Sequence, residues 1–145
     1  MKLQTASRLA LYAILELAAD PERHFNAAEI ASKYAVSINH LGKIMPILVR
    51  AGHVKSVRGA KGGFRYSGNA KRTTLMDIIQ LFETIGETPG RERDPGETTD
   101  VGMGIGQVLG EIDEIAQATF RSITIDTMLK IIERQGESVL GADII

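Results

Sequence analysis

Ser37, Asn39, His40 and Lys43 crowd the first turns of a predicted helix, and all four can hydrogen-bond. Nearby, Lys55, Arg58, Lys61 and Arg65 lie along two short β-prone runs, Val54-Lys55-Ser56-Val57-Arg58 and Phe64-Arg65-Tyr66-Ser67, separated by Gly59-Ala60-Lys61-Gly62-Gly63. The first group suits the edges of bases. In the second, the cations suit phosphate, and Gly59, Gly62 and Gly63 allow a backbone to come close. Neither group contains a nucleophile with a base at informative spacing, so enzyme chemistry is the least supported class.

The elements that must hold these residues can be read from helix signals. Asn26 precedes Ala27-Ala28-Glu29-Ile30, so its side chain can cap a helix while Glu29 closes a capping box. That helix is short. Tyr34-Ala35-Val36 runs into Ser37, a second N-cap, and into an apolar stripe at Ile38, Leu41, Met45 and Leu48. Two helices across so short a turn make a helix-turn-helix, and the second presents its first residues to the major groove. Gly52 suits its C-terminus, and the β-prone runs with their glycine tip form a hairpin, or wing. Within the second helix Gly42 costs ~1 kcal/mol and Pro46 ~3 kcal/mol relative to alanine. The proline clashes with the carbonyl four residues back, which is that of Gly42, so the expectation is one bent helix rather than two.

Charge divides the same way. The net charge of −1 over 145 residues is +8 over residues 1–72, from twelve basic and four acidic side chains, and −9 over residues 73–145. The front of the chain suits a polyanion and the rear does not. Cysteine is absent altogether, which excludes disulfides, thiolate metal sites and cysteine nucleophiles. No signal-peptide core opens the chain and no apolar run approaches ~18 residues, so a cytoplasmic protein without a membrane partner is expected. At this length, one compact domain with an appended element fits better than two cores.

Taken in order, residues 5–19 form an amphipathic helix ended by Asp20-Pro21, and residues 26–67 form the helix-turn-helix and wing. Thr74-Leu75-Met76-Asp77 is a capping box opening a helix to about Ile85, which completes a winged unit over residues 1–85. Residues 86–104, with Pro89-Gly90 and Pro95-Gly96, read as a long loop and a candidate sensor region. Helical periodicity resumes from about Ile105 at Val108, Leu109, Ile112, Ile115, Ala116, Thr119 and Phe120. Thr124 caps a last helix with Ile125, Met128, Leu129, Ile131 and Ile132. The apolar stripe over residues 105–135 needs cover, and a second copy of the chain supplies it most simply, predicting a homodimer. Residues 136–145 read as a weakly structured tail. The fold class is mainly α: a winged helix-turn-helix with a β-hairpin wing and a long C-terminal dimerisation helix.

Val57-Arg58-Gly59-Ala60-Lys61-Gly62-Gly63-Phe64, following Leu48-Val49-Arg50-Ala51-Gly52, resembles the winged-helix regulators of the Rrf-two family, which include IscR, NsrR, RirA and CymR. The resemblance covers residues 1–85 and extends to the C-terminal helix. It implies a dimeric bacterial transcription factor with its recognition helix in the major groove, Arg58 reaching the minor groove, and a long helix crossing between subunits. Members that sense iron, oxygen or nitric oxide hold an iron–sulfur cluster through cysteines in the loop that here spans residues 86–104. Without thiolates that chemistry does not carry over, and no cofactor is expected. The family's usual tyrosine in the first helix stands as Leu9.

Other patterns carry less. Glu87, Asp94, Glu97 and Asp100 show no metal spacing, and His24 and His53 have no partner at informative spacing. Gly102, Gly104, Gly106 and Gly110 follow no strand and so are no nucleotide fingerprint. The leading function is a sequence-specific regulator, a repressor, acting as a homodimer on a palindromic site in double-stranded DNA. An effector or partner protein would act at residues 86–104. A sequence-tolerant architectural DNA binder is the alternative, and a helix-turn-helix used only for protein contact sits badly with the +8 half.

Overall fold

The computed structural model describes residues 1–59, 62–86 and 90–143, with side chains to residue 138. Six α-helices and one hairpin follow in the order α1 (Thr5–Ala19), α2 (Ala27–Tyr34), α3 (Ile38–Arg50), β1 (Val54–Val57), β2 (Gly63–Tyr66), α4 (Leu75–Ile79), α5 (Asp100–Ser122) and α6 (Ile125–Asp143). A 3-10 turn, Pro95–Thr98, precedes α5. The core gathers Ile14 and Leu17 of α1, Leu41, Met45 and Leu48 of α3, Ile78 and Ile79 of α4, and Ile125 of α6, all fully buried.

Local chemistry explains the junctions. The Asn26 side chain accepts from the Glu29 amide at 2.8 Å, and Ser37 accepts from the His40 amide at 3.3 Å, so both halves of the helix-turn-helix start on a cap. The capping box at Asn26 is only half made, because the Glu29 carboxylate turns to Arg23 at 2.7 Å. At Thr74 and Asp77 the box is complete. Between α2 and α3 the chain turns on Ala35 at φ +53°, with the Val36 amide bonded to the Ala31 carbonyl. That is a Schellman cap built on alanine where glycine is usual. α3 ends on another: Gly52 sits at φ +87°, its amide on Val49 and that of His53 on Leu48. α3 itself runs as one helix with Pro46 inside it.

β1 and β2 pair antiparallel in the register Val54↔Tyr66, Lys55↔Arg65, Ser56↔Phe64, Val57↔Gly63. A third piece of chain joins them. Phe25 and Phe64 exchange both backbone hydrogen bonds, at 2.8 and 2.7 Å, tying the wing to the residue just before α2.

Several boundaries differ from the sequence reading. α4 closes at Ile79 instead of running to residue 85; Leu81 and Phe82 follow in a tight turn, and these two and Ile85 pack against the core. Residues 90–99 are not a structureless loop. Asp94 caps the 3-10 turn through the Gly96 amide, Thr99 caps α5 through the Gly102 amide, and α5 begins at Asp100, five residues before its apolar period is evident. The helix after Thr124 runs to Asp143, through most of the expected tail.

The junction of α5 and α6 returns to the winged unit. The Leu75 amide bonds the Ile123 carbonyl and the Ile125 amide bonds the Thr73 carbonyl, each at 2.9 Å, and Thr74 and Thr124 form a β-bridge. Met128 and Leu129 pack beside Ile125 against the same core. The start of α6 therefore belongs to the winged core, whereas no residue of α5 is buried.

Candidate nucleic-acid interface

α3 and the wing stand side by side because α3 leads into β1 through the Gly52 cap. The surface of α3 away from the core carries Asn39 and Lys43, as the sequence suggested, together with Ile38, Gly42, Pro46 and Arg50. His40 is half-buried on the flank of the helix. Ser37 is exposed, but its Oγ already accepts a backbone hydrogen bond as the N-cap. Ile38, counted with the core stripe on its spacing to Leu41, is instead 55% exposed; Ile44 takes the fourth buried place beside Leu41, Met45 and Leu48.

On the wing, Lys55 and Arg58 are exposed and Arg65 is half-exposed. Lys55 and Arg65 are directly opposite each other across the ribbon. Among the described residues, no carboxylate pairs with Lys43, Arg50, Lys55, Arg58 or Arg65. Lys61 and Glu87 lie outside the described residues.

The wing glycines serve their own chain first. A Cβ on Gly62 would lie 2.4 Å from the Val57 carbonyl oxygen, and one on Gly63, at φ +155°, would lie 2.3 Å from that of Phe25. Gly62 thus lets the chain return close to Val57, its amide bonded to the Gly59 carbonyl, and Gly63 lets Phe25 join the ribbon. At Gly59, φ +119°, the space beside the backbone is open.

Behind the interface, α1 and α2 are clamped. Tyr12 and Tyr34 stack with ring centroids 4.6 Å apart, and the Glu16 carboxylate accepts from Tyr34 and from Lys33. Burial pushes the Glu16 carboxyl up, but hydrogen bonds from Lys33 and Tyr34 and the Lys33 charge outweigh it and hold the group below its ordinary value. Burial, then the Glu16 hydrogen bond and charge, drive the Tyr34 phenol well upward. Glu83 accepts from the Gln4 amide and the buried Ser7 hydroxyl, capping α1 where Gln4 makes no side-chain cap of its own. His53, beneath the wing, is held below the usual histidine value by burial, partly offset by the Asp77 charge.

Sequence reasoning missed Arg50, Gly42 and Pro46 on the outer face of α3. The spacing of four from Ile38 to Gly42, Pro46 and Arg50 was the available signal.

A winged helix-turn-helix whose α3 and wing cations meet no carboxylate among the described residues defines the class: a DNA-binding protein of the winged-helix type. Residues 3–131 match the Rrf2 family, described as an iron-dependent transcriptional regulator. The chain belongs to that family. It is 45% identical over 135 residues to a protein named as the HTH-type transcriptional regulator BadM of Rhodopseudomonas palustris, covering 93% of this chain and 85% of that one. Its fold is similar to CymR (YrzC), the global cysteine regulator of B. subtilis, at TM-score 0.66 and 25% identity, over 90% of this chain and 98% of the other. It is also similar to T. potens IscR at TM-score 0.68 and 27% identity, over 93% and 90%. As a transcriptional regulator related to these, the protein is not an enzyme.

The iron of the family description finds no fitting ligands among the described residues. Cysteine is absent from the chain, and among the described residues no three of His, Asp and Glu gather as a metal set. Asp94 and Glu97 are engaged instead, with the Gly96 amide and Arg91. Among the described residues no helix is long and apolar enough to cross a membrane.

Proposed function

We propose that the protein is a homodimeric repressor of transcription that binds a palindromic operator, with α3 of each protomer in the major groove and the wing against the neighbouring minor groove. One observation carries the reading: five cations on α3 and the wing have no carboxylate partner among the described residues, on a surface that also holds Asn39 and His40. Opposed like charges such as Lys55 and Arg65 make sense where a polyanion will lie between them and solvent. In this reading Asn39 and His40 face base edges, Ser37 and Lys43 flank them, and Lys55, Arg58, Lys61 and the Gly59, Gly62 and Gly63 backbone take the sugar–phosphate chain.

The second subunit is suggested by α5. Val101, Ile105, Val108, Ile112 and Ile115 are all more than half exposed and recur at alternating spacings of four and three, the 3.5-residue period of a helix seam. An identical helix fits that seam best. Repression follows from occlusion of a promoter by the bound dimer, in the cytoplasm where the chromosome lies. The protein works without a metal or cofactor. An effector or partner acts at residues 86–104, where the segment folded on α5 adjoins the pairing helix.

Selection of bound duplexes from random DNA by the purified protein tests the proposal. A single motif with two-fold symmetry is expected. Strong, salt-sensitive binding with no motif would favour an architectural binder. Arg58→Ala should weaken operator binding by about 1–3 kcal/mol, and unchanged affinity would remove the wing from the mechanism.

A further inference from the structure

The outer face of α3 is less polar than its first turn suggests. Ile38, Gly42 and Pro46 are exposed and stand four residues apart, so they form one row along the helix, beside a second row that begins with Asn39 and Lys43. This apolar row lies on the most basic part of the molecule and points away from the core that Leu41, Ile44, Met45 and Leu48 fill.

We propose that this row recognises thymine, with Ile38 packed on the 5-methyl group of one thymine in each half-site. The inference rests on the reading that α3 enters the major groove. Within that groove thymine alone among the four bases displays an apolar group, and a hydrogen-bonding side chain gains nothing from it. Isoleucine matches such a target: β-branching restricts its χ1 in a helix, so the side chain is already oriented before contact. Gly42 keeps the middle of the row bare, with open space where a Cβ would stand. Nothing there holds the helix away from the base pairs. Pro46 continues the row with ring methylenes and carries no amide donor.

Charge decides against another occupant. A second copy docking through this face would bring Lys43, Arg50 and the wing cations against their own likenesses. A duplex instead offers a strip of methyl groups between two rails of phosphate, apolar in the middle and anionic at the sides, the inverse of what α3 and the wing present.

Deoxyuridine supplies the test, because it keeps every hydrogen-bonding atom of thymine and lacks only the methyl. Each thymine of the selected operator is replaced in turn, symmetrically in both half-sites, and affinity is measured by fluorescence anisotropy. For the wild-type protein, one position is expected to lose about four-fold per half-site, the contribution of one buried methyl. Ile38→Ala should bind the thymine duplex less tightly and show no further loss with uracil at that position, while Ile38→Val keeps part of the sensitivity. Thermal melts of the variants should match wild type, since Ile38 lies outside the core. If wild type binds its operator and every uracil is silent, or if Ile38→Ala keeps the full uracil effect, the thymine contact is wrong while DNA recognition stands. If no duplex is bound at all, both readings fall.

Discussion

Replacing Lys55 by threonine should make the free protein slightly more stable and its DNA complex much weaker. Lys55 faces Arg65 across the wing, and neither meets a carboxylate among the described residues. Like charges opposed in a strand pair cost about 0.2–1 kcal/mol. Both side chains reach solvent, where screening over about 8 Å favours the lower end of that range. Threonine suits a strand, so Lys55→Thr should gain about 0.3 kcal/mol, or about 1 °C in melting temperature. On DNA the sign reverses. Each phosphate contact contributes about −0.9 to the slope of log K against log salt, and a dimer loses two, so the slope should become shallower by about 1.8. If the two affinities converge near 1 M salt, the loss at 0.1 M is roughly 60-fold. Circular-dichroism melts of the free protein and anisotropy titrations across a salt series read both quantities. A lower melting temperature with an unchanged salt slope would show that Lys55 holds the wing together and does not meet phosphate.

Three other substitutions probe separate parts of the structure. Gly63→Ala would set a Cβ 2.3 Å from the Phe25 carbonyl oxygen, and should cost about 2 kcal/mol or more in urea unfolding as the Phe25–Phe64 pairing opens. Ile112→Asp places a charge in the middle of the α5 seam and should yield a folded monomer in sedimentation; an intact dimer would mean that the seam is not the pairing surface. His53 resists protonation in the folded state and not in the unfolded one, so acidification from about pH 7 through the ordinary value near 6.5 and on past its lowered folded value should erode stability. His53→Gln should flatten that part of the profile, measured as urea midpoints at several pH values.

The sequence reading succeeded where a single short stretch carries its own instruction. Asn26, Ser37, Thr74 and Thr124 each cap the helix expected of them, because a hydroxyl or amide beside an apolar run can satisfy amides two or three residues away without outside help. It failed where distant partners decide. Phe25 is one residue long as a strand and shows no alternation, so only the fold reveals its pairing with Phe64. Glu29 had a local use in the capping box and a competing one with Arg23, and the ion pair took it. The start of α5 was hidden by Gly102 and Gly104, which weaken a helix in isolation. Gly102 is tolerated because the 3-10 turn lies directly on it: a Cβ there would come within 2.0 Å of the Gly96 carbonyl oxygen. Ile38 misled through its spacing, since a residue in the first turn can match the stripe and still overhang the edge of the core. The exposure of Asn39, Lys43, Lys55 and Arg58 agrees with the sequence reading, because charge and first-turn position survive without tertiary knowledge; the outward place of Arg50, at the far end of the same helix, was not read.

Ile125 has no exposed surface, and its backbone amide is fastened to Thr73. A fragment cut after Ile85 would therefore carry an empty socket in its centre and a frayed strand edge at Thr74, and the cavity from a missing isoleucine is worth several kcal/mol. The winged unit and the C-terminal helices thus share one keystone. In the proposed dimer, the distance between the two DNA-reading surfaces would then be set partly within each chain.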